Sequence, residues 1–182
     1  MLFLVLAAVH CSPVISNIVS LDYGQFAGTR HENYTSFTGI PYAQPPTGDL
    51  RWRAPRPPKH IAGVQESLPA VSCMQRPPAL GMPALAVSED CLVLNVFVPR
   101  HSSHAPVLVY IYGGSFITGS AYSPLNNAAN IMDADVAEKP VIVVLNYRLG
   151  VFGFLSAPQM PPHSANLGLL DQKLALEWVL PH

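Results

Sequence analysis

Two short runs, "VLVYI" (Val107 to Ile111) and "VIVVL" (Val141 to Leu145), limit the possible fold more than any other feature of the sequence. Each is almost wholly apolar, as expected of a strand covered on both faces. The segment between them, Asn127 to Ala137, reads as a helix. Strand, helix, strand is a crossover unit, which predicts a right-handed connection and a parallel pair. A third strand, Leu92 to Val98, precedes them. The link from Val98 to Val107 is too short for a crossover, so the strands it joins run antiparallel to one another. A mixed sheet in an α/β protein follows. Farther on, Leu170, Leu174 and Trp178 recur at i, i+4, i+8 and mark one face of a helix. Asn166 is its expected N-cap, and Pro181 its stop.

Upstream, Ile18 to Gly28 reads as two strands around an Asp-Tyr-Gly turn. From Gly39 to about Met82, Pro and Gly interrupt the text repeatedly. Proline removes a backbone donor and fixes φ, so this stretch is expected to be ordered coil rather than sheet. Ile40, Tyr42, Leu50 and Trp52 are its anchors into a core.

The chain has 182 residues, 49% hydrophobic and 12% charged, with a formal net charge of -1. No basic excess points to nucleic acid, and the low charge with ample apolar content argues against disorder. Leu2 to Val9 is an apolar run of signal-peptide length, so residues 1–16 read as a signal peptide and 17–182 as the folded part. No later run is long enough to cross a membrane, so no integral membrane segment is expected. Of the cysteines, Cys11 falls near the cleavage point, which leaves Cys73 and Cys91 as an even pair in a chain that reads as secreted. A disulfide is their natural reading. Asn33-Tyr34-Thr35 is a glycosylation sequon. No Cys or His spacing suits a metal, and no cofactor is expected.

"VYIYGGSFITGS" (Val109 to Ser120) runs from a strand straight into glycines. Such a turn can aim backbone N–H groups at a developing negative charge. By itself, Gly-Gly also serves as an ordinary bend. Its neighbours carry more: "GIPYAQPPTGDLRWRAP" (Gly39 to Pro55), "SEDCLVLNVFVP" (Ser88 to Pro99), "YGGSF" (Tyr112 to Phe116), "NYRLGVFGFL" (Asn146 to Leu155) and "NLGLLDQKLALEWV" (Asn166 to Val179), in that order. Together they resemble the N-terminal third of the type-B carboxylesterases, the α/β-hydrolase family of esterases, fungal-type lipases and cholinesterases.

The resemblance implies an incomplete α/β-hydrolase fold with a mixed, mostly parallel sheet. It implies that Gly114 and Ser115 form the oxyanion hole through their N–H groups, joined by a third donor following the nucleophile. It matches Cys73 and Cys91 to the family's first disulfide, and Arg51–Glu89 and Arg148–Asp171 to two structural salt bridges. The implied substrates are small-molecule or lipid carboxylic esters, once the site is complete. Many relatives have Gly where Ser115 stands. Cholinesterases carry a cation-binding Trp between the two cysteines and an aromatic at Ile117; this chain has neither, so a choline-ester specialist is not expected.

No serine here fits G-x-S-x-G, and none of the seven histidines matches the family's catalytic position. His31, His60, His101, His104 and His163 read as solvated surface residues. The chain by itself is therefore expected to be inactive, lacking nucleophile, acid and base. "LPH" departs from the family pattern, as a truncated gene model, an alternative transcript or a remnant would. A non-catalytic, cholinesterase-like adhesion ectodomain is the alternative reading.

Overall fold

The computed structural model describes residues 17–76, 85–100, 105–126, 128–134, 138–160 and 164–182. The expected hairpin forms: β1 (Ile18–Leu21) pairs antiparallel with β2 (Gly24–Ala27). Strand β3 (Thr29–Arg30) turns into β4 (Tyr34–Pro41), and short strands β5 (Val64–Gln65), β6 (Val71–Cys73) and β7 (Ala86–Ser88) follow. Next come β8 (Val93–Pro99), β9 (Val107–Tyr110), helix α1 (Ala129–Asp133), β10 (Val141–Leu145), α2 (Gly150–Phe154) and α3 (Leu167–Val179).

The main sheet has the order β3-β4-β8-β10-β9, with β1-β2-β5 and β6-β7 as separate small sheets. β9 and β10 are parallel, as the crossover pattern requires, and β10 is antiparallel to β8. β8 and β9 thus run in opposite directions, with β10 inserted between them. The sheet is mixed as expected, but in this portion the parallel part is the single β9/β10 pair.

Alternation along β10 divides the core. Val143 and Leu145 join Tyr42, Leu94, Leu149 and Ala175 on one face. Ile142 and Val144 meet Tyr34 and Met132 of α1 on the other. β10 is therefore covered twice, as its composition predicts. β9 is not: it forms the sheet edge, and Val107, Leu108 and Tyr110 are exposed.

Two further expectations need correction. The stretch from Gly39 is not free of sheet, since it holds the end of β4 together with β5 and β6. Proline does not prevent this at Pro41, which closes β4 opposite Val93. At the irregularity between Phe37 and Ile40, the Gly39 N–H turns away to donate to Asn95 Oδ1 at 3.0 Å. Met82 lies outside the described residues. Second, α1 is shorter than Asn127 to Ala137, although Asn127 and residues 135–137 lie outside the described residues. Asn166 does occupy the N-cap of α3, as expected, with its backbone in the left-handed region (φ 58°) and no side-chain cap hydrogen bond.

Candidate active site

The glycine turn begins where β9 ends. Tyr112 and Tyr147, which follow β9 and β10, stack with centroids 4.8 Å apart, and the Tyr147 hydroxyl donates to the Tyr112 carbonyl at 3.0 Å. Burial pushes both phenols upward, so they stay protonated and able to donate. This clasp fixes the turn's inner end.

Gly114 has φ 136°, and a side chain there would collide with the Thr118 carbonyl. Only glycine fits. Ser115 (φ 54°) and Phe116 (φ 61°) follow in the left-handed region, at a cost of about 1 kcal/mol each. The turn is held closed by the N–H groups of Ile117 (3.0 Å) and Thr118 (3.2 Å), which both donate to the Gly114 carbonyl. Gly150 N–H donates to the Phe116 carbonyl at 2.7 Å. Phe116 also packs on Phe154, with ring centroids 4.9 Å apart. Among the described residues, the N–H groups of Gly114 and Ser115 find no acceptor. A strained turn presenting two adjacent unused donors is suited to binding an oxyanion.

The scaffold around it contains the other expected pairs. Cys73 and Cys91 are bonded, joining the end of β6 to the entrance of β8. Arg51 grips Glu89 with two hydrogen bonds, of 2.5 and 2.7 Å. Arg148 and Asp171 form a buried pair: Nε and Nη2 donate to the carboxylate at 2.8 and 2.6 Å, the Arg148 N–H adds a third bond, and Nη1 reaches the Arg53 carbonyl. Burial pushes the Asp171 carboxyl up, and the Arg148 guanidinium and N–H draw it back. Gly153 and Gly168 press on the Arg148 carbonyl from α2 and α3, where any Cβ would clash. A small cleft lined by Arg51, Trp52, Glu89, Arg148 and the disulfide lies among these supports, and neither Gly114 nor Ser115 lines it.

Asn33 is exposed, its amide 3.4 Å from Asp133 Oδ1. His60 is exposed; His101, His104 and His163 lie outside the described residues. His31 is not simply solvated: its ring stacks on Tyr34 and its Nε2 lies 2.9 Å from Ser36 Oγ. Tyr34 and Ser36 lie on β4, and His31 lies in the turn that leads from β3 into it. Among the described residues, no group of three His, Cys, Asp or Glu could hold a metal, and no helix is long and apolar enough to cross a membrane.

Sequence reasoning missed two residues that organise this region. Asn146 is fully buried; its amide donates to the Val71 carbonyl at 2.8 Å and accepts from the Ala121 N–H at 2.9 Å. Gln75 grasps the outer end of the glycine turn. Neither carries a sequence signal of its own.

The carboxylesterase family model matches residues 15–182. The chain belongs to the carboxylesterase family. Across 169 residues this carboxylesterase-family chain is 42% identical to the para-nitrobenzyl esterase of Bacillus subtilis, covering 89% of this chain and 34% of that protein. It is 40% identical over 156 residues to the mouse (Mus musculus) cholinesterase, covering 80% of this chain and 25% of that one. A solved thermophilic PNB esterase superposes with a TM-score of 0.79 at 38% identity, over 89% of this chain and 34% of the other. The architecture is therefore part of an α/β-hydrolase fold, and the chain spans between a quarter and about a third of the length of these relatives.

Proposed function

We propose that this chain supplies the N-terminal third of a secreted carboxylic-ester hydrolase, with Gly114 and Ser115 donating to the oxyanion. The carrying observation is the pair of backbone N–H groups that find no acceptor among the described residues, in a closed turn whose left-handed backbone carries an energetic cost. In the reaction, a serine hydroxyl contributed by the rest of such an enzyme adds to the ester carbonyl carbon, passing its proton to a base. The carbonyl π pair moves onto oxygen, where the two N–H groups stabilise it. Collapse expels the alcohol, which takes back that proton, and leaves an acyl group for water to remove. The part assigned to this chain is electrostatic, and the 182 residues alone are inactive.

Ile117 is 60% exposed beside the turn, and Phe116 is 48% exposed. Apolar surface next to the donors favours uncharged acyl or alcohol groups over choline.

The test is a chimera in which residues 17–182 replace the matching third of the Bacillus esterase. The chain alone should not cleave a chromogenic short-chain ester, whereas the chimera should. Gly114→Pro in the chimera removes one donor and is expected to lower kcat about 100-fold or more. A folded chimera that is inactive, or whose kcat changes only a few-fold on that substitution, overturns the reading.

A further inference from the structure

The outer end of the glycine turn is tied down by one side chain. Gln75 Nε2 donates to the Gly119 carbonyl at 2.7 Å and to the Cys73 carbonyl at 3.1 Å. Its Oε1 accepts from the Gly119 N–H at 2.9 Å and from the Thr118 hydroxyl at 2.8 Å. Both amide hydrogens and both oxygen lone pairs are therefore used. The amide orientation follows from the network, because Gly119 offers an N–H to one atom and a carbonyl to the other. The side chain pairs with Gly119 as a neighbouring strand would, in a stretch that has no strand.

Thr118, held by its hydroxyl, is also the residue whose N–H bonds the Gly114 carbonyl and whose own carbonyl lies against the Gly114 Cα. A shift of Thr118 and Gly119 would therefore move Gly114 and Ser115. The same Gln75 Nε2 is also bonded to the carbonyl of Cys73, whose sulfur is fixed to Cys91. Disulfide, amide and glycine turn form one connected support.

We propose that Gln75 is a positioning residue for the oxyanion donors, holding the turn in register from the disulfide loop without touching substrate. This rests on the oxyanion reading given above. The isosteric Gln75→Glu keeps size and acceptors but sets a carboxylate against the Gly119 and Cys73 carbonyls. In the chimera it is expected to lower kcat about ten-fold or more with KM within two-fold, since small displacements of aligned groups are costly to rate. The ratio of variant to parent kcat should rise as pH falls, because the protonated acid regains one donor. Backbone hydrogen exchange gives a second, activity-free readout in both the chimera and the 182-residue chain. Gln75→Glu should speed exchange at Thr118 and Gly119 at least ten-fold and leave the β10 amides unchanged.

An inactive chimera in which that exchange difference persists removes the oxyanion reading and leaves the clamp standing. An active chimera whose kcat is unaffected by Gln75→Glu overturns the positioning role. Equal exchange at Thr118 and Gly119 in parent and variant, or a rise shared equally with β10, overturns the clamp itself.

Discussion

Arg148 is 3% exposed, so its guanidinium has little water to fall back on when a partner is lost. Asp171→Asn would leave that charge buried and uncompensated. The expected loss is about 3–5 kcal/mol, read by urea unfolding of the chimera. A loss below about 1 kcal/mol would show that the pair is dispensable. Lys173 and Glu177, paired i to i+4 on the exposed side of α3, offer the contrast. Glu177→Gln should change stability by no more than about 0.5 kcal/mol. At this scale, the pairing of Arg148 with Asp171 was legible through the family resemblance, not through spacing, since nothing local sets those residues apart. Gln75 was not legible at all. An amide has no chemistry of its own to flag, and its role depends on which backbone folds over it.

Among the described elements, β9 is an edge strand that leaves apolar side chains uncovered. Val107 is 53% exposed at the sheet edge, with Leu108 and Tyr110 beside it. An unpaired apolar edge is a template for another chain. The 182-residue chain should therefore self-associate, and Leu108→Lys should shift it toward smaller species in size-exclusion chromatography. An unchanged elution profile would place the association elsewhere. Strands whose covering makes them apolar throughout, such as β10, were readable directly from composition. β4 was hidden, because "YTSFTGIP" carries Thr, Ser, Gly and Pro where a buried strand carries Val and Ile. α2 was hidden too: two glycines in "GVFGF" oppose a helix by propensity, yet Gly153 is what lets α2 reach the Arg148 carbonyl. Asn166 was legible as the start of α3, where its backbone, in the left-handed region, makes the turn without a side-chain cap bond.

For the whole molecule, the disulfide closes a loop between residues 18 apart, a constraint worth ~3 kcal/mol on chain-entropy grounds. Non-reducing peptide mapping of secreted material should recover Cys73 linked to Cys91; two free thiols would contradict this. The same material should begin near residues 11–16 and carry a glycan on Asn33, and a product starting at Met1 would remove the signal-peptide reading. Asn146 has a consequence in time as well as in energy. Its side-chain amide reaches the Val71 carbonyl from 75 residues away, beside the Tyr42 hydroxyl that its main-chain carbonyl receives from 104 away. Bonds between such distant segments form only after the intervening loops have closed, so they belong late on the folding route. Asn146→Ala is therefore expected to leave the refolding rate of the chimera almost unchanged and to accelerate unfolding. The buried amide acts as a latch that sets how long the assembled molecule lasts, not how quickly it is reached.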